Sequence, residues 1–255
     1  NRRNLVRNSL VAVQVASSIV LLIIAGLFTR SLQKLHTMNL GINPNNVVNF
    51  RMDPLQIGYD QARTQAFSKE LLRRVRSLPG IQSASTAFCS PFCFYRSSTT
   101  VLAEGQVLAP GAQPLVVPIN QVSTDYFATL GISLLRGRQF AENDVQGSRE
   151  VAIINESLAK ALWPNDDALG KRLRFSETAK EYTEVAGIVQ DSKTATVVET
   201  PHPYIYLPIT QQPVSMQTLM VRSSMNESEV IRAVKAEIQA LDPDLPTFDV
   251  QSMND

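Results

Sequence analysis

Histidine, cysteine and tryptophan are scarce in this chain of 255 residues, which has two His, two Cys and one Trp. His36 and His202 cannot supply a His-rich metal site, and a single cysteine pair cannot build a disulfide framework. Acidic residues are missing before Asp53, whereas Arg2, Arg3, Arg7, Arg30, Lys34 and Arg51 are present, so the first 52 residues carry +6. The remaining 18 basic and 23 acidic side chains leave the rest at −5, the wrong sign for a nucleic-acid binder. No phosphate-binding G-x-x-x-x-G-K-S/T loop occurs; Gly170-Lys171 runs into Arg172 and lacks the upstream glycine, so ATP is not bound here. The G-x-S-x-G elbow of many hydrolases is absent too. Eleven glycines exclude a collagen-like repeat, and 44% hydrophobic with 18% charged residues exclude a disordered chain.

What the chain does have is an uncharged run of 19 residues, Leu10 to Phe28, whose strongly polar members are Gln14, Ser17 and Ser18. At ~1.5 Å per residue it extends about 28 Å, close to the ~30 Å hydrocarbon core of a bilayer. A soluble core helix of that length shows a polar face, so the run reads as a membrane span. It exceeds the ~7–15 apolar residues of a secretory signal peptide, and no small-x-small cleavage site follows. The first residue, Asn1, reads as a cut within a longer protein. Positive charge favours a cytoplasmic N-terminus only slightly, but the large following domain is expected to translocate regardless of charge. Helical spacing continues from Thr29 to Leu40 through Leu32, Leu35 and Met38, until Gly41 and Pro44 end it. One helix from Leu5 to Leu40 would be about 54 Å long, with roughly 20 Å standing clear of lipid as a stalk able to carry axial force.

Beyond the stalk the pattern is α+β. Val47 to Met52 reads as a strand, Tyr59 to Leu78 as a helix with Phe67, Leu71, Val75 and Leu78 on one face, and Ile81 to Ala87 as the next strand. A second strand–helix–strand unit closes the chain: Leu219 to Arg222, then a helix capped at Asn226 with Glu229 three residues on, then Thr247 to Val250. Neither unit can bury its sheet face alone, so the two are expected to pair as a split sandwich of ferredoxin-like type. Between them lie strands at Val116 to Val122, Val151 to Ile154, Leu173 to Phe175, Thr183 to Val189 and Tyr204 to Leu207. Short helices are expected at Asp125 to Leu130 and Glu156 to Trp163. That mixture predicts a smaller β-rich insertion.

The order of motifs carries a resemblance. After the basic patch, the apolar span and the Leu-Gly-x-x-Pro stalk end come VVNFRMD, Asp125-Tyr126-Phe127 and Thr129-Leu130-Gly131-Ile132. Leu135-Arg136-Gly137-Arg138 with Phe140, Val151 to Ala159, Trp163-Pro164, Leu169 to Leu173, Val185 to Val189 and Leu241 to Pro246 follow. This series resembles the periplasmic core domain of MacB/FtsX-type ABC transporter permeases, especially the duplicated orphan permeases of acidobacterial type. The span resembles the segment opening the second of their two repeats. The resemblance implies a transmembrane helix and stalk over residues 1–43, and a porter-like domain of two βαβ units in halves at 44–115 and 207–255. A β-rich, sabre-like subdomain would be inserted at 116–206. It implies three further membrane helices beyond Asp255 and a bacterial inner-membrane location with the main domain periplasmic. The implied partners are a cytoplasmic ABC ATPase subunit, a second permease half or copy met through its periplasmic domain, and lipid around the first helix. The activity it implies is mechanotransmission: ATP-driven movement outside the membrane for efflux or extracytoplasmic substrate handling. ATP hydrolysis would sit on a separate nucleotide-binding domain or subunit. No catalytic, cofactor-binding or metal-ligating residue is assigned. A membrane-anchored periplasmic sensor or binding domain is the alternative, and a signal-anchored hydrolase the third reading.

A few residues ask for individual readings. Cys89 and Cys93, in CSPFC, suit either a short-loop disulfide helped by the turn at Pro91 or two free buried thiols; a redox pair is more usually C-x-x-C. Phe88, Phe92, Phe94 and Tyr95 cluster in the same loop, as core or, if exposed, as a contact for a partner or lipophilic ligand. Asp166-Asp167 reads as a solvated turn. Asn155 and Asn226 read as helix caps rather than glycosylation sites.

Overall fold

A computed structural model describes residues 14–30, 39–93, 95, 97–176 and 178–253. The chain divides into two units, Asn1–Asn39 and Leu40–Asp255. In the first, residues 14–30 form helix α1. The start of the predicted span, the stalk residues 31–38 and His36 lie outside the described residues. Among the described residues no helix is long and apolar enough to cross a membrane.

The second unit begins with β1 (Val47–Met52), whose β-branched and aromatic residues bury both faces, and a 3-10 turn at Pro54–Ile57. Helix α2 (Gln61–Arg76) starts where the Asp60 carboxylate accepts the Arg63 N–H at 2.8 Å. It buries Phe67, Leu71 and Val75, as their spacing predicts. It stops before Pro79-Gly80, where Gly80 takes φ +79°. β2 (Ile81–Ala87) follows. At the far end of the chain β10 (Gln217–Ser223), α5 (Glu227–Leu241) and β11 (Thr247–Ser252) repeat the plan. The Asn226 side chain caps α5 by accepting the Glu229 N–H at 3.0 Å.

These units interleave rather than merely touch. The strand order is β11–β1–β10–β2, every neighbour antiparallel, so each unit's two strands are split by a strand of the other. Helices α2 and α5 cover one face with a shared core of Phe50, Leu71, Val75, Leu219, Val234 and Ile238. One corner of that layer is tied by polar contacts. The Tyr59 hydroxyl donates to the Asp242 carboxylate at 2.6 Å, and the Arg63 guanidinium lies 3.8 Å from the Tyr59 ring centre.

The middle of the chain supplies β3 (Ser97–Ala103), β4 (Leu115–Val122), α3 (Tyr126–Leu130), β5 (Leu134–Gly137), β6 (Val151–Asn155), α4 (Glu156–Leu162), β7 (Arg172–Arg174), β8 (Thr183–Val189) and β9 (Ile205–Pro208). β3 is a strand that the sequence reading leaves unassigned. Six of these strands close on themselves in the order β4–β3–β7–β8–β6–β9, with β9 returning parallel to β4. Closure removes the free edges such a sheet would otherwise expose. Val117, Ile154, Leu158, Leu173, Val185 and Ile205 pack in its core. A single pairing, Ala87 with Val122, continues the ladder from the split sandwich into this ring. Between the two lies a third core in which Tyr126 and Phe127 of α3 meet Tyr206 of β9. The Phe127 and Tyr206 ring centres are 5.0 Å apart.

The Tyr59 hydroxyl, followed by the Asp244 N–H, holds the Asp242 carboxyl below its usual range. A depressed carboxylate pKa contributes stability that is complete above the unfolded value of about 3.9 and is lost as pH falls through the folded one. Tyr59→Phe is therefore expected to lower the melting temperature at pH 7, with the gap to the unaltered chain narrowing towards pH 3. Circular dichroism melts at several pH values check this; a gap that stays constant or widens in acid contradicts it.

Candidate functional site

The residues that follow the leading helix, Leu40 to Asn46, are held from three sides. Their sequence is built for a bend: Gly41 adopts φ +70° and Asn46 φ 60°, conformations that glycine and asparagine tolerate. The Asn43 side chain accepts the Asn45 N–H at 3.1 Å, closing an Asx turn before the first strand. A side chain at Gly41 would fall on the Asp191 carbonyl oxygen and come within 2.7 Å of the Ser192 Cα, so no larger residue fits.

From the closed ring, the segment after β8 makes two bonds to this stretch. The Lys193 N–H donates to the Leu40 carbonyl at 2.8 Å, and the Gln190 side chain donates to the Gly41 carbonyl at 2.7 Å. That segment is itself anchored, because the Asp191 carboxylate accepts the Ser157 N–H at 3.0 Å and its hydroxyl at 2.7 Å, at the start of α4. From α3, the Leu130 carbonyl accepts the Asn43 N–H at 2.7 Å.

From the split sandwich comes Arg222 on β10, opposite Val47 of β1. Its Nε donates to the Thr129 carbonyl at 2.8 Å, one terminal nitrogen to Asn45 at 2.7 Å and the other to Asn43 at 2.6 Å. One planar fork thus joins the last turn of α3 to two carbonyls of the leading segment. Burial lowers the Arg222 pKa from its ordinary value, but a guanidinium stays charged at any physiological pH. Ile42 is buried in the third core beside these bonds. The arrangement is a collar that ties the leading segment to both sheet systems. It makes no provision for bond-making. Its chemistry is a set of short, charge-assisted and backbone hydrogen bonds that resist displacement along the chain.

A second feature lies beside it. Cys89 and Cys93 are joined in a disulfide, which resolves the two alternatives left open by the sequence. They line a small cleft of about 40 Å³ together with Tyr126, His202 and Tyr204. Phe88 lines it, Phe92 packs onto the third core, and Tyr95 is half-exposed with the Arg51 guanidinium 4.1 Å from its ring centre. The aromatic loop is thus divided between core and surface; Phe94 lies outside the described residues. Burial pushes the Tyr206 phenol up to about 12 and the Tyr126 phenol well above its ordinary value, so both stay neutral.

Other singled-out residues have structural roles. Asp166 pairs with Lys171 at 2.6 Å and Asp167 with Arg136 at 2.5 Å, fixing the turn after α4. Asn155 caps α4 by accepting the Leu158 N–H at 3.0 Å. Among the described residues no group of three His, Cys, Asp or Glu side chains is placed to hold a metal ion. Sequence reasoning missed Arg222, Gln190 and Asn43 as a group. The available signal was a lone Arg at the end of an otherwise buried strand, and a Gly and a Pro flanking Asn43.

Comparison with known proteins agrees with this architecture. A family model described as the MacB-like periplasmic core domain matches residues 10–241. The macrolide export ATP-binding/permease protein MacB of Aggregatibacter actinomycetemcomitans is 27% identical over 48% of this chain, and that of Neisseria gonorrhoeae 28% identical over 40%. The matches span only 18% and 15% of those proteins' lengths. Among solved structures, the periplasmic region of MacB from Actinobacillus actinomycetemcomitans aligns with a TM-score of 0.57 at 18% identity, over 84% of this chain and 91% of that one. The extracellular domain of the noncanonic ABC-type transporter YknZ aligns with a TM-score of 0.51 at 15% identity, over 80% and 100%. At those identities the likeness is one of fold.

Removing the fork strands three carbonyls. Arg222→Ala is expected to cost about 3 kcal/mol, from bonds to a charged group worth roughly 1.5–3 each less relaxation. Arg222→Lys recovers less than half of it, because an ammonium cannot span three acceptors in one plane. Gly41→Ala is expected to cost about 2–4 kcal/mol through its positive φ and its clash with the Asp191–Ser192 backbone. Urea midpoints measure all three; a shift under about 0.5 kcal/mol for Arg222→Ala, the scale of an ordinary surface substitution, contradicts the assignment.

Proposed function

This chain belongs to the family of MacB-like periplasmic core domains, and on that premise we propose that it is the extracytoplasmic core of an ABC transporter permease which passes movement from its leading helix to both of its sheet systems. The observation that carries the proposal is the collar. A displacement arriving at Leu40 meets backbone and guanidinium bonds to the closed ring, to α3 and to the split sandwich before any flexible loop intervenes.

In this reading the run Leu10 to Phe28 is a membrane span. Its support is α1, whose apolar side chains are exposed around the helix, Leu22 at 72% and Phe28 at 65%. Such a helix is stable only in an apolar surrounding. Residues 39–43 then hand over from stalk to domain, and the interleaved β1–α2–β2 and β10–α5–β11 units form a porter-like subdomain. The sabre-like insertion expected at 116–206 corresponds to the closed ring, which also takes in β3 from the half expected to end at residue 115. ATP is hydrolysed on a separate nucleotide-binding domain or subunit, and a second permease half or copy faces this domain outside the membrane. The relatives' names, with ATP binding and permease functions in one protein, support that division of labour. The named cargo of those relatives is theirs; the chemistry found here is mechanical and does not select a substrate.

Spin labels at Val107, an exposed position on the β3–β4 hairpin, test the reading in the intact transporter reconstituted with its ATPase. The distance distribution between labels on the two facing domains is expected to shift between nucleotide-free and ATP-trapped states. With Arg222→Ala the shift should shrink while ATP hydrolysis stays within about twofold, since the hydrolytic site is elsewhere. A distribution that ignores nucleotide in the unaltered protein overturns the proposal.

A further inference from the structure

We propose that the Cys89–Cys93 disulfide is a thiol–disulfide exchange site for a dithiol, attacked at Cys93, and that opening it loosens the loop beside the collar. Four observations converge on this. The ring closed by the disulfide holds only Ser90, Pro91 and Phe92, and so short a ring does little as a staple, because the effect of a cross-link grows with the loop it closes. The fold around it is already held by other bonds. The Phe88 N–H donates to the Gln121 carbonyl at 2.8 Å, and the Asn120 side chain accepts the Cys89 N–H at 3.2 Å while donating to its carbonyl at 2.8 Å.

The two sulfurs are unequal. Cys89 is 8% exposed and pinned by Asn120, whereas Cys93 is partly exposed. An incoming thiolate therefore reaches the Cys93 sulfur and expels that of Cys89. Both sulfurs also sit beside the same carbonyl oxygen, that of Tyr95, at 3.0 Å for Cys89 and 2.8 Å for Cys93. A disulfide has no hydrogen to give it; two thiols do, so the reduced pair finds its acceptor already in place.

What the closed ring holds gives the exchange a consequence. Phe92 sits at φ 65°, a region a bulky residue seldom adopts, and its N–H donates to the Thr194 carbonyl at 2.8 Å. The preceding residue, Lys193, makes the bond to Leu40 in the collar. Thr194 also begins a turn in which the Glu199 carboxylate accepts the N–H groups of Thr194, Ala195 and Thr196 at 2.5, 3.1 and 2.9 Å. With the ring open, Phe92 is free to return to negative φ and release Thr194.

The chemistry balances. One thiolate of the dithiol bonds to the Cys93 sulfur, the S–S electron pair leaves on Cys89, and Cys89 takes a proton. The second thiol of the reagent then attacks the reagent's own sulfur in the mixed disulfide and releases Cys93. The reagent ends as a cyclic disulfide, having supplied two electrons and two protons to the cysteine pair.

The test uses the full chain in its membrane or detergent, with dithiothreitol as the dithiol and mass-tagged alkylation as the readout. The pair is expected to reduce without denaturant and to reoxidise when the reagent is replaced by oxidised glutathione, which takes the two electrons. Cys93 in Cys89→Ser should react with a chromogenic disulfide at least roughly tenfold faster than Cys89 in Cys93→Ser, as exposure governs access to the sulfur. In the unaltered chain, reduction should raise amide exchange over residues 88–93 and 194–199 by roughly tenfold while β1 and β10 stay unchanged, as expected for local opening. Reduction only after denaturation, equal reactivity of the two single variants, or unchanged exchange on reduction would each overturn the proposal.

Discussion

A partly buried guanidinium that donates to three carbonyl oxygens is the interaction on which the other parts of this domain depend. Arg222 sits on β10, so it is fixed by the sheet it belongs to. Its three acceptors belong to α3 and to the segment that leads in from the N-terminal helix. A buried charge is costly unless fully partnered, and three acceptors in one plane supply the partners a fork requires. The result is directional. Lengthening any one of the three bonds strains the other two, because all three end on one rigid group.

The two bodies joined at that point are stiff for different reasons. The split sandwich gains rigidity from interleaving: neither βαβ unit can leave without breaking three ladders. The closed ring gains it from having no edge, since β9 completes the circuit by pairing with both β6 and β4. Between them the ladder is a single residue pair, Ala87 with Val122. Side-chain packing of Tyr126, Phe127 and Tyr206 reinforces that junction. On the proposed function, these two bodies with their packed junction would take up displacement from the collar.

Much of the fold could be read along the chain because its signals are local. The apolar stripe of Phe67, Leu71 and Val75 and the Asn226 cap with Glu229 locate α2 and α5 to within a few residues. The need of each βαβ unit for a partner foretells their pairing. Other features have no local signal. β3 begins Ser-Ser-Thr-Thr and turns apolar only at Val101, so no alternation marks it. Ring closure pairs Ile119 with Ile205 and Val122 with Pro208 in parallel, a long-range register without a turn between them. The collar was equally hidden. Gly41 announces a bend but not the Asp191 backbone that forbids a side chain there, and Arg222 looks like an ordinary charge at a strand end until its three acceptors are in view. CSPFC allowed either a bond or two thiols, and the structure joins the two sulfurs.

Pulling on the chain tests the central claim most directly. With one attachment at residue 39 and the other at residue 253, the collar should hold until the domain yields, so optical-tweezer traces should show no early step before the main rupture. A low-force extension of only a few residues, with the sheets still folded, would mean that Leu40 to Asn46 peel away first. That result would contradict a collar able to carry force into the domain.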